Sequence, residues 1–274
     1  MSSHAFHRLE LLTGSDCVKQ LGEVRVIIFG VGGVGSWCAE ALVRSGVHNL
    51  TLVDSDSVCV TNTNRQVQAT SVSVGKSKVA EMARRLKEIN PAADIKTIQK
   101  VYHRTTAAEF ELSQYDYVID AIDSLGAKIE LILNATSSGA KLFSALGAAK
   151  KMDPTRIRVS SIWESYNCKL GRFVRKRLRR RGFKGDFLCV WSDEFISSPE
   201  REQDEGSLQN DQRNNSGEKQ ANGSAVHITG TFGFMIAGFL IQDIASKHKE
   251  LNRQGKRSSW NPIGLFEMNR YRNE

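Results

Sequence analysis

The chain has 274 residues, of which 40% are hydrophobic and 25% are charged. These proportions are ordinary for a folded soluble protein, and the length allows one large α/β domain with a small extension. The first twenty residues lack the apolar core of a secretory signal, and the five cysteines include no Cys-x-x-Cys pair, so we expect a cytoplasmic protein without zinc.

Strand-like and helix-like segments alternate through the first 150 residues. Two short helices are expected within residues 8–20. Strands are expected over residues 24–30, 49–54, 95–102, 115–121 and 141–146, and helices over residues 36–45, 76–89 and 126–138. Most of these strands are continuous apolar runs, typical of strands buried on both faces. The alternation predicts an α/β fold with a doubly wound, mostly parallel sheet in a domain of residues 1–150.

The first predicted strand leads directly into a glycine-rich loop. Gly30, Gly32, Gly33 and Gly35 match the pattern G-x-G-x-x-G, and a helix follows at once. Such glycines let backbone N–H groups approach a phosphate, which the positive end of the helix also favours. A glycine-rich turn alone is a weak signal, but Asp54 ends the second strand, where a carboxylate can hold the ribose hydroxyls. Together these features predict a Rossmann-type nucleotide site.

A second polar cluster, after Asp54, helps to decide which nucleotide binds. It contains Asp56, Asn62, Arg65 and Lys78. A nicotinamide oxidoreductase has little use for arginine and lysine beside the pyrophosphate. Activation of a carboxylate by ATP needs them, because positive donors neutralise the transferring and leaving groups. The cluster therefore favours ATP, with an oxidoreductase kept as an alternative.

Two aspartates lie near the end of the strand predicted over residues 115–121. We expect Asp123 to end this buried strand. An unpaired carboxylate would be costly there, so the position favours a cation partner for Asp123. Asp120 is expected to be structural.

Residues 151–274 differ in character and are expected to form a C-terminal extension with antiparallel strands. The expected elements are a strand over residues 156–162, a basic helix over 165–181, a strand over 187–191, a mobile loop over 199–225, a core helix over 226–249 and an edge strand over 264–268. The polar loop segment has too little apolar surface to order itself. The late helix is apolar but interrupted by glycines, so we expect it to lie in the core and not in a membrane.

The net charge of +8 comes from one segment. Residues 169–184 hold nine of the 38 lysines and arginines and no acidic residue, and the other 29 almost balance the 30 acidic residues. A charge run is often a solvated helix face, but nine positive charges without acidic neighbours repel one another. The segment therefore predicts docking of a polyanion. The side chains expected to make this contact are Arg172, Arg175, Lys176, Arg179 and Arg180.

As an ordered set, these motifs resemble the superfamily of ubiquitin-activating-enzyme-like proteins, which adenylate carboxylates of ubiquitin-like proteins and sulfur carriers. The matching pieces are residues 30–35, Asp54-x-Asp56, Asn62-x-x-Arg65-Gln66, Lys78 and residues 120–124. The resemblance implies that the glycines and the two aspartates of the second piece bind ATP, with Asp54 on the ribose. It further implies that Asn62, Arg65 and Lys78 contact the triphosphate. Asp123 is then the ligand of a Mg²⁺ ion.

The resemblance also concerns the N-terminus. Arg8, in Phe6-His7-Arg8-Leu9-Glu10, matches an N-terminal arginine that in this superfamily reaches into the site of the partner subunit. This implies a homodimer with two composite sites and a catalytic role for Arg8. The simpler alternative is a surface arginine.

Two absences narrow the choice within the superfamily. Sulfur-carrier activators usually hold zinc on two Cys-x-x-Cys pairs, and thioester-forming members keep a cysteine before the last core helix; this chain has neither. Cys189 lies in an apolar strand, where a thiol is poorly reactive. Residues 58–66, 117–124, 153–157 and 229–234 instead resemble the tRNA threonylcarbamoyladenosine dehydratases.

This branch implies a specific activity. Its enzymes cyclise the threonylcarbamoyl group on the adenosine just 3′ of the tRNA anticodon, by adenylating the threonyl carboxylate and letting the same side chain attack it. The resemblance implies tRNA as the partner of the basic helix, and ATP and Mg²⁺ as cofactors. No enzyme thiol is required, and Cys38 and Cys59 are expected to be core residues. Activation of a ubiquitin-like or sulfur-carrier protein remains the alternative.

Overall fold

The computed structural model describes residues 4–195 and 222–253, with side chains described as far as residue 246. The strand expected over residues 264–268 and most of the loop expected over residues 199–225 lie outside the described residues.

Seven strands form one sheet. They are β1 (Arg25–Phe29), β2 (Asn49–Val53), β3 (Asp94–Ile98), β4 (Tyr117–Asp120), β5 (Lys141–Ala145), β6 (Ile157–Ser161) and β7 (Leu188–Ser192). Their order across the sheet is β3-β2-β1-β4-β5-β7-β6. All neighbours are parallel except β6, which runs antiparallel to β7. The fold class predicted from the alternation of strands and helices is confirmed.

Seven α-helices accompany the sheet in the described part of the chain. They are α1 (His7–Thr13), α2 (Ser15–Glu23), α3 (Gly35–Arg44), α4 (Lys78–Ile89), α5 (Leu125–Ser137), α6 (Lys169–Arg180) and α7 (Val226–Arg253). The predicted division at residue 150 falls within a continuous sheet, because β7 pairs directly with β5.

The sheet separates two hydrophobic cores. Alternate residues of β1 point to opposite faces, as the pleat of a strand requires. Val26 and Ile28 pack with α2, α3, α4 and α7, whereas Ile27 and Phe29 pack with α5 and α6. The helices that follow β1 and β4 therefore lie on opposite faces of the sheet.

Helix α7 packs closely on α3. A Cβ atom on Gly233 would lie 2.6 Å from the Val34 carbonyl oxygen and 2.8 Å from the Cys38 nitrogen, so only glycine allows this approach. Tyr117 on β4 donates a hydrogen bond of 2.8 Å to Asp243 of α7. By length and composition the stretch Val226–Ser246 could span a membrane, but half of it is buried inside the fold.

Candidate nucleotide-binding site

Apart from Arg8 and the residues of the basic helix, the predicted site residues follow the carboxyl ends of β1, β2 and β4. The neighbours β1 and β4 send their following helices to opposite faces, which opens a crevice between the two connections. Such a topological switch point is where doubly wound sheets bind ligands. The fold thus places a binding crevice at the glycine loop.

Close contacts determine the conformation of the glycine loop. Gly30 has a φ of +90°, and a Cβ atom there would lie 2.6 Å from the Ala121 carbonyl oxygen. A Cβ atom on Gly35 would lie 1.8 Å from the Gly30 carbonyl oxygen, which no side chain tolerates. Val34 precedes α3 and provides no side-chain cap, which leaves the Gly35 N–H open to an anion, whereas the Ser36 N–H already donates to the Gly32 carbonyl oxygen at 3.1 Å. The loop has the close backbone contacts expected of a glycine-rich turn, and its binding of phosphate stays a prediction.

Asp54 is held against this loop. Its Oδ2 accepts a hydrogen bond of 2.7 Å from the Val31 backbone nitrogen, and its Oδ1 accepts one of 2.9 Å from the Asp56 nitrogen. Burial raises the pKa of Asp54, while the nearby Lys78 ammonium opposes that rise. The carboxylate is thereby positioned beside the cradle, where the sequence predicted a ribose contact.

Lys78 begins α4 and is buried next to Asp54. Its Nζ lies 2.7 Å from Asp56 Oδ2 and 4.0 Å from Asp54 Oδ1. Its backbone nitrogen also donates to the Asp56 carbonyl oxygen at 3.1 Å. These contacts are not those of a solvated surface lysine. The ammonium instead faces the same pair of carboxylates that borders the cradle.

The turn with Asn62 and Arg65 lies beside the start of α3. The Trp37 indole, one turn into α3, donates a hydrogen bond of 3.0 Å to the Arg65 carbonyl oxygen. The half-buried Arg65 guanidinium donates to the Thr61 carbonyl oxygen and to Asn64 Oδ1, both at 2.9 Å. Asn62 Oδ1 accepts from the Cys59 nitrogen at 3.0 Å, so the Asn62 amide nitrogen is the group that can face phosphate.

Gln68 is a site residue that the sequence reasoning missed. Its Nε2 donates a hydrogen bond of 2.8 Å to the Val31 carbonyl oxygen in the glycine loop. Its Oε1 is buried and has no hydrogen-bond partner among the described residues, a costly arrangement unless a ligand or water completes it. The spacing Gln66-x-Gln68, directly after Arg65, was the available signal. Thr229 was also missed: its side chain lies 3.1 Å from where a Cβ atom on Gly33 would be.

Asp123 is not buried, and the expectation that it ends a buried strand is wrong. Strand β4 ends at Asp120, and the following turn carries Asp123 to the surface. The burial cost therefore gives no reason for a cation partner at Asp123. The turn that carries Asp123 borders the glycine loop, since the Ala121 carbonyl oxygen lies 2.6 Å from where a Cβ atom on Gly30 would be.

Asp120 is the fully buried carboxylate at the end of β4. Its Oδ2 lies 2.6 Å from the fully buried Lys128 ammonium and accepts a 2.7 Å hydrogen bond from Ser144. Lys128 also donates to the Ala145 carbonyl oxygen at 2.9 Å. Asp120 Oδ1 accepts from the Ile122 nitrogen at 3.2 Å and so shapes the turn before Asp123. The expected structural role of Asp120 agrees with these contacts.

Arg8 is exposed on α1 and is not part of this cluster. Phe6, two residues earlier, packs near Gly46 and the His48 ring, just before β2 begins. These residues lie at the amino-terminal edge of the sheet, whereas the glycine loop lies at the carboxyl edge. The structure thus keeps Arg8 away from the nucleotide site of its own chain.

The predicted polyanion-binding helix forms as α6, with Lys169 and not residue 165 as its first residue. Arg172, Lys176, Arg179 and Arg180 are exposed. Arg175 differs, because it is half-buried and donates a hydrogen bond to the Ser165 hydroxyl. Burial lowers the pKa of Arg175, as expected for a cation taken from water.

The cysteines only partly match their predicted settings. Cys38 is buried, as expected, and burial raises its pKa. Cys59 is exposed, so its prediction as a core residue is wrong: it precedes the Asn62 turn instead of continuing a strand. Cys189 is buried in β7, and burial raises its pKa too, in agreement with an unreactive thiol.

The glycine loop lies at a switch point of the sheet, with the Asp54 carboxylate and several cations beside it. This arrangement defines a nucleotide-binding protein of the doubly wound class. The chain belongs to the ThiF family, whose model matches residues 6–261. It is 36% identical over 243 residues to the tRNA threonylcarbamoyladenosine dehydratase of Bacillus subtilis, covering 88% of this chain and 94% of that protein. The Escherichia coli protein of the same name is 33% identical over 248 residues, covering 86% and 91%.

A solved structure agrees with these relatives. The fold matches the crystal structure of the E. coli dehydratase TcdA in complex with AMP, with a TM-score of 0.78 and 32% identity over 90% of this chain and 96% of that one. A complex of the same protein with ATP matches with the same TM-score and 31% identity. The resemblance inferred from the motifs is confirmed.

Proposed function

We propose that this chain is a cytoplasmic, ATP-dependent tRNA threonylcarbamoyladenosine dehydratase. The observation that carries the proposal is the joint placement of the glycine cradle, Asp54 and Lys78 in a chain whose relatives of that name match almost end to end. The exposed cations of α6, Arg172, Lys176, Arg179 and Arg180, add a surface suited to a polyanionic substrate.

The residues present fit ATP. A Cβ atom on Gly32 would meet only the Gln66 side-chain nitrogen, at 3.9 Å, so the missing side chain leaves open space for phosphate there. The Gln68 oxygen that has no partner among the described residues can accept a hydrogen bond. Asp54 is suited to the ribose. Asn62, Arg65 and Lys78 supply donors for the triphosphate.

The residues present also fit Mg²⁺, which binds proteins through one or two carboxylates plus substrate phosphates. Asp123 and Asp56 are exposed carboxylates beside the crevice. When bound, the ion supplies positive charge against the phosphates. We assign Asp123 as its ligand on grounds of position alone.

The chain's own residues have defined tasks in the reaction. The Arg65 guanidinium and the Lys78 ammonium neutralise charge on the transferring group and on the leaving pyrophosphate as the threonyl carboxylate attacks the α-phosphate. The resulting acyl adenylate is attacked by a carbamoyl atom of the same substrate side chain, which releases AMP. No enzyme thiol takes part, in keeping with the burial of Cys189.

We further propose a homodimer in which Arg8 completes the site of the partner subunit. The support is its position: Arg8 is exposed on a helix at the sheet edge opposite the glycine loop. An exposed arginine with a mobile guanidinium can add charge to a phosphate site across an interface. Size determination in solution and Arg8→Ala kinetics test this point.

A second candidate, activation of a ubiquitin-like or sulfur-carrier protein, has one specific support. The chain is 33% identical over 150 residues to the molybdopterin-synthase adenylyltransferase of E. coli, covering 54% of this chain and 59% of that protein. Such an activator would exchange pyrophosphate only with a carrier protein present, and tRNA would make no difference.

AMP release separates the two candidates. Purified protein with ATP and Mg²⁺ is incubated with tRNA carrying threonylcarbamoyladenosine, with the same tRNA lacking the modification, or with no RNA. We expect stoichiometric AMP only with the modified tRNA. AMP release that is independent of the modification would overturn the proposal.

A further inference from the structure

An exposed apolar patch lies next to the proposed nucleotide site, at the carboxyl edge of β5 and β7. We call it the Tyr166 patch; Met152, Tyr166, Phe195 and Val226 form it, with exposed fractions of 66%, 52%, 71% and 43%. Large apolar side chains that remain exposed together often mark a binding surface. The activity proposed above does not use any of them.

Hydrogen bonds bring the patch residues together from four segments. The Met152 nitrogen donates to the Glu194 carboxylate at 2.9 Å, and Phe195 is the next residue. The Tyr166 hydroxyl lies 3.3 Å from Asp193 Oδ2. The His227 ring is hydrogen-bonded to the Met152 carbonyl oxygen at 2.9 Å, which places the start of α7 beside Met152.

The Tyr166 ring is held rigidly while much of its surface stays open. It packs edge-to-face on Trp191, with ring centroids 4.6 Å apart. The Asp193 carboxylate that holds its hydroxyl is itself buried and fixed by Arg156 at 2.7 Å and Arg158 at 3.2 Å. A rigid aromatic face loses little conformational entropy when a ligand stacks on it.

The patch lies between the proposed nucleotide site and the basic helix. On one side, Tyr166 is three residues before Lys169, the start of α6. On the other side, the Lys150 backbone nitrogen donates a hydrogen bond to the Gly223 carbonyl oxygen. Asn64 Nδ2 donates one to the carbonyl oxygen of the next residue, Ser224. Asn64 belongs to the Arg65 turn. A ligand that spans the two sites crosses the Tyr166 patch.

We propose that the Tyr166 patch stacks an unpaired nucleobase of the tRNA anticodon loop, next to the adenosine that enters the active site. The inference rests on the proposed function. Proteins read single-stranded RNA loops by stacking splayed bases on aromatic side chains, with cations beside them for the phosphates. Lys150 and Lys169 supply exposed cations around the patch.

The test uses the full chain and a synthetic anticodon stem-loop RNA with 2-aminopurine at the base directly 5′ of the target adenosine. Binding is measured at several salt concentrations for wild type, Tyr166→Ala, Tyr166→Phe and Phe195→Ala. Val101→Ala is the matched control, an equally exposed apolar residue near β3, at the other end of the sheet. Each variant is checked for thermal midpoint, ATP binding and oligomeric state.

We expect Tyr166→Ala and Phe195→Ala each to weaken RNA binding about tenfold, the typical effect of removing one stacked aromatic ring. The slope of affinity against salt should not change, since every phosphate keeps its cation. Tyr166→Phe keeps the ring and should bind like wild type and the control. The 2-aminopurine fluorescence should be quenched by wild type and not by Tyr166→Ala.

Several results would overturn the inference. Equal affinity and equal quenching in wild type, Tyr166→Ala and Phe195→Ala would remove the stacking role. A changed oligomeric state in Tyr166→Ala would assign the patch to a second copy. Wild-type protein that binds neither tRNA nor the stem-loop would overturn the proposed function as well. Wild-type protein that binds RNA, with no difference among the variants, would overturn only the stacking role. If Tyr166→Ala is unstable, Phe195→Ala decides alone, because its side chain is largely exposed.

Discussion

At the scale of single residues, the proposed site depends on a buried cation that lies beside carboxylates. Lys78 is buried, and its ammonium faces Asp54 and Asp56, whereas Lys76, two residues earlier, is exposed and lies 3.7 Å from Glu81. Lys78 is the first residue of α4 and Lys76 lies just before this helix, so the two lysines are neighbours that differ in burial. They form a natural matched pair for testing the phosphate role.

We predict that Lys78→Met lowers kcat/KM for ATP about 100-fold or more, because a positioned donor to the phosphates is lost. Lys76→Met should stay within about threefold of wild type, as expected for an exposed ion pair. AMP release at varied ATP concentration measures both. Equal losses in the two variants would contradict the role of Lys78, and thermal midpoints show whether either change unfolds the protein.

The buried pair of Asp120 and Lys128 gives a second prediction, on stability. Lys128→Met leaves a buried carboxylate without its cation, which should cost about 3–5 kcal/mol in the free energy of unfolding. The double variant Asp120→Leu/Lys128→Met removes both charges and should recover part of that loss. Urea unfolding measures these values. A double variant no more stable than the single one would show that Asp120 is satisfied by Ser144 and backbone groups without the lysine.

Single residues were predictable where one motif determined one position. The glycine loop and Asp54 follow from spacing, and the structure brings them together. Asp123 shows the limit: the sequence could not tell which of two aspartates, three residues apart, is buried. The answer depended on Lys128, one turn into α5, whose ammonium pairs with Asp120. Gln68 was missed because its contact, to Val31, is distant in sequence.

At the scale of elements, helix α7 supports one wall of the site. It packs on α3 through Gly233, and its first turn places Thr229 against Gly33. A side chain at residue 233 must therefore push α7 away from α3. Gly238 lies in the same helix, but a Cβ atom there meets no other atom within 4 Å.

We predict that Gly233→Ala destabilises the protein by about 1–3 kcal/mol through overpacking and weakens ATP binding by moving Thr229. Gly238→Ala should instead stabilise it by about 0.5–1 kcal/mol, because alanine is the better helix former. Chemical denaturation and ATP titration of the two variants check this. A neutral Gly233→Ala would contradict the close packing of α7 on α3.

The types of the described elements were predictable, whereas several of their ends were not. Strand β3 was expected to reach residue 102, but it ends at Ile98, because its neighbour β2 ends at Val53 and provides no further pairing. The basic helix was expected from residue 165, but Asn167 has a φ of +49°, which a helix does not allow. The end of β3 is determined by a tertiary contact, and the start of the basic helix by a turn. Residue types alone specify neither.

At the scale of the whole molecule, one sheet joins the nucleotide half to the basic half. The sequence indicated strands after residue 150 but not that β7 would insert between β5 and β6. The start of α6 lies beside the segment that follows β5, since a Cβ atom on Gly147 would lie 3.5 Å from Cys168 Sγ and 3.6 Å from Leu170 Cβ. A long polyanion can thus contact the helix while one of its nucleotides enters the crevice.

We predict that the double variant Arg179→Gln/Arg180→Gln weakens tRNA binding and reduces the slope of log affinity against log salt by about one for each phosphate that is no longer neutralised. A matched control is Arg84→Gln/Lys100→Gln, since both of these cations are exposed but paired with glutamates. Filter binding at several salt concentrations measures the slopes. Equal slopes for the two double variants would remove α6 from the tRNA interface.

The proposed reaction removes water from a modified adenosine in tRNA. Mass spectrometry of nucleosides from tRNA treated with the protein and ATP tests it most directly. We predict that threonylcarbamoyladenosine is replaced by a species lighter by one water, only when ATP is present, and that Lys78→Met abolishes the change. An unchanged nucleoside, in a preparation that binds both ATP and tRNA, would contradict the claim.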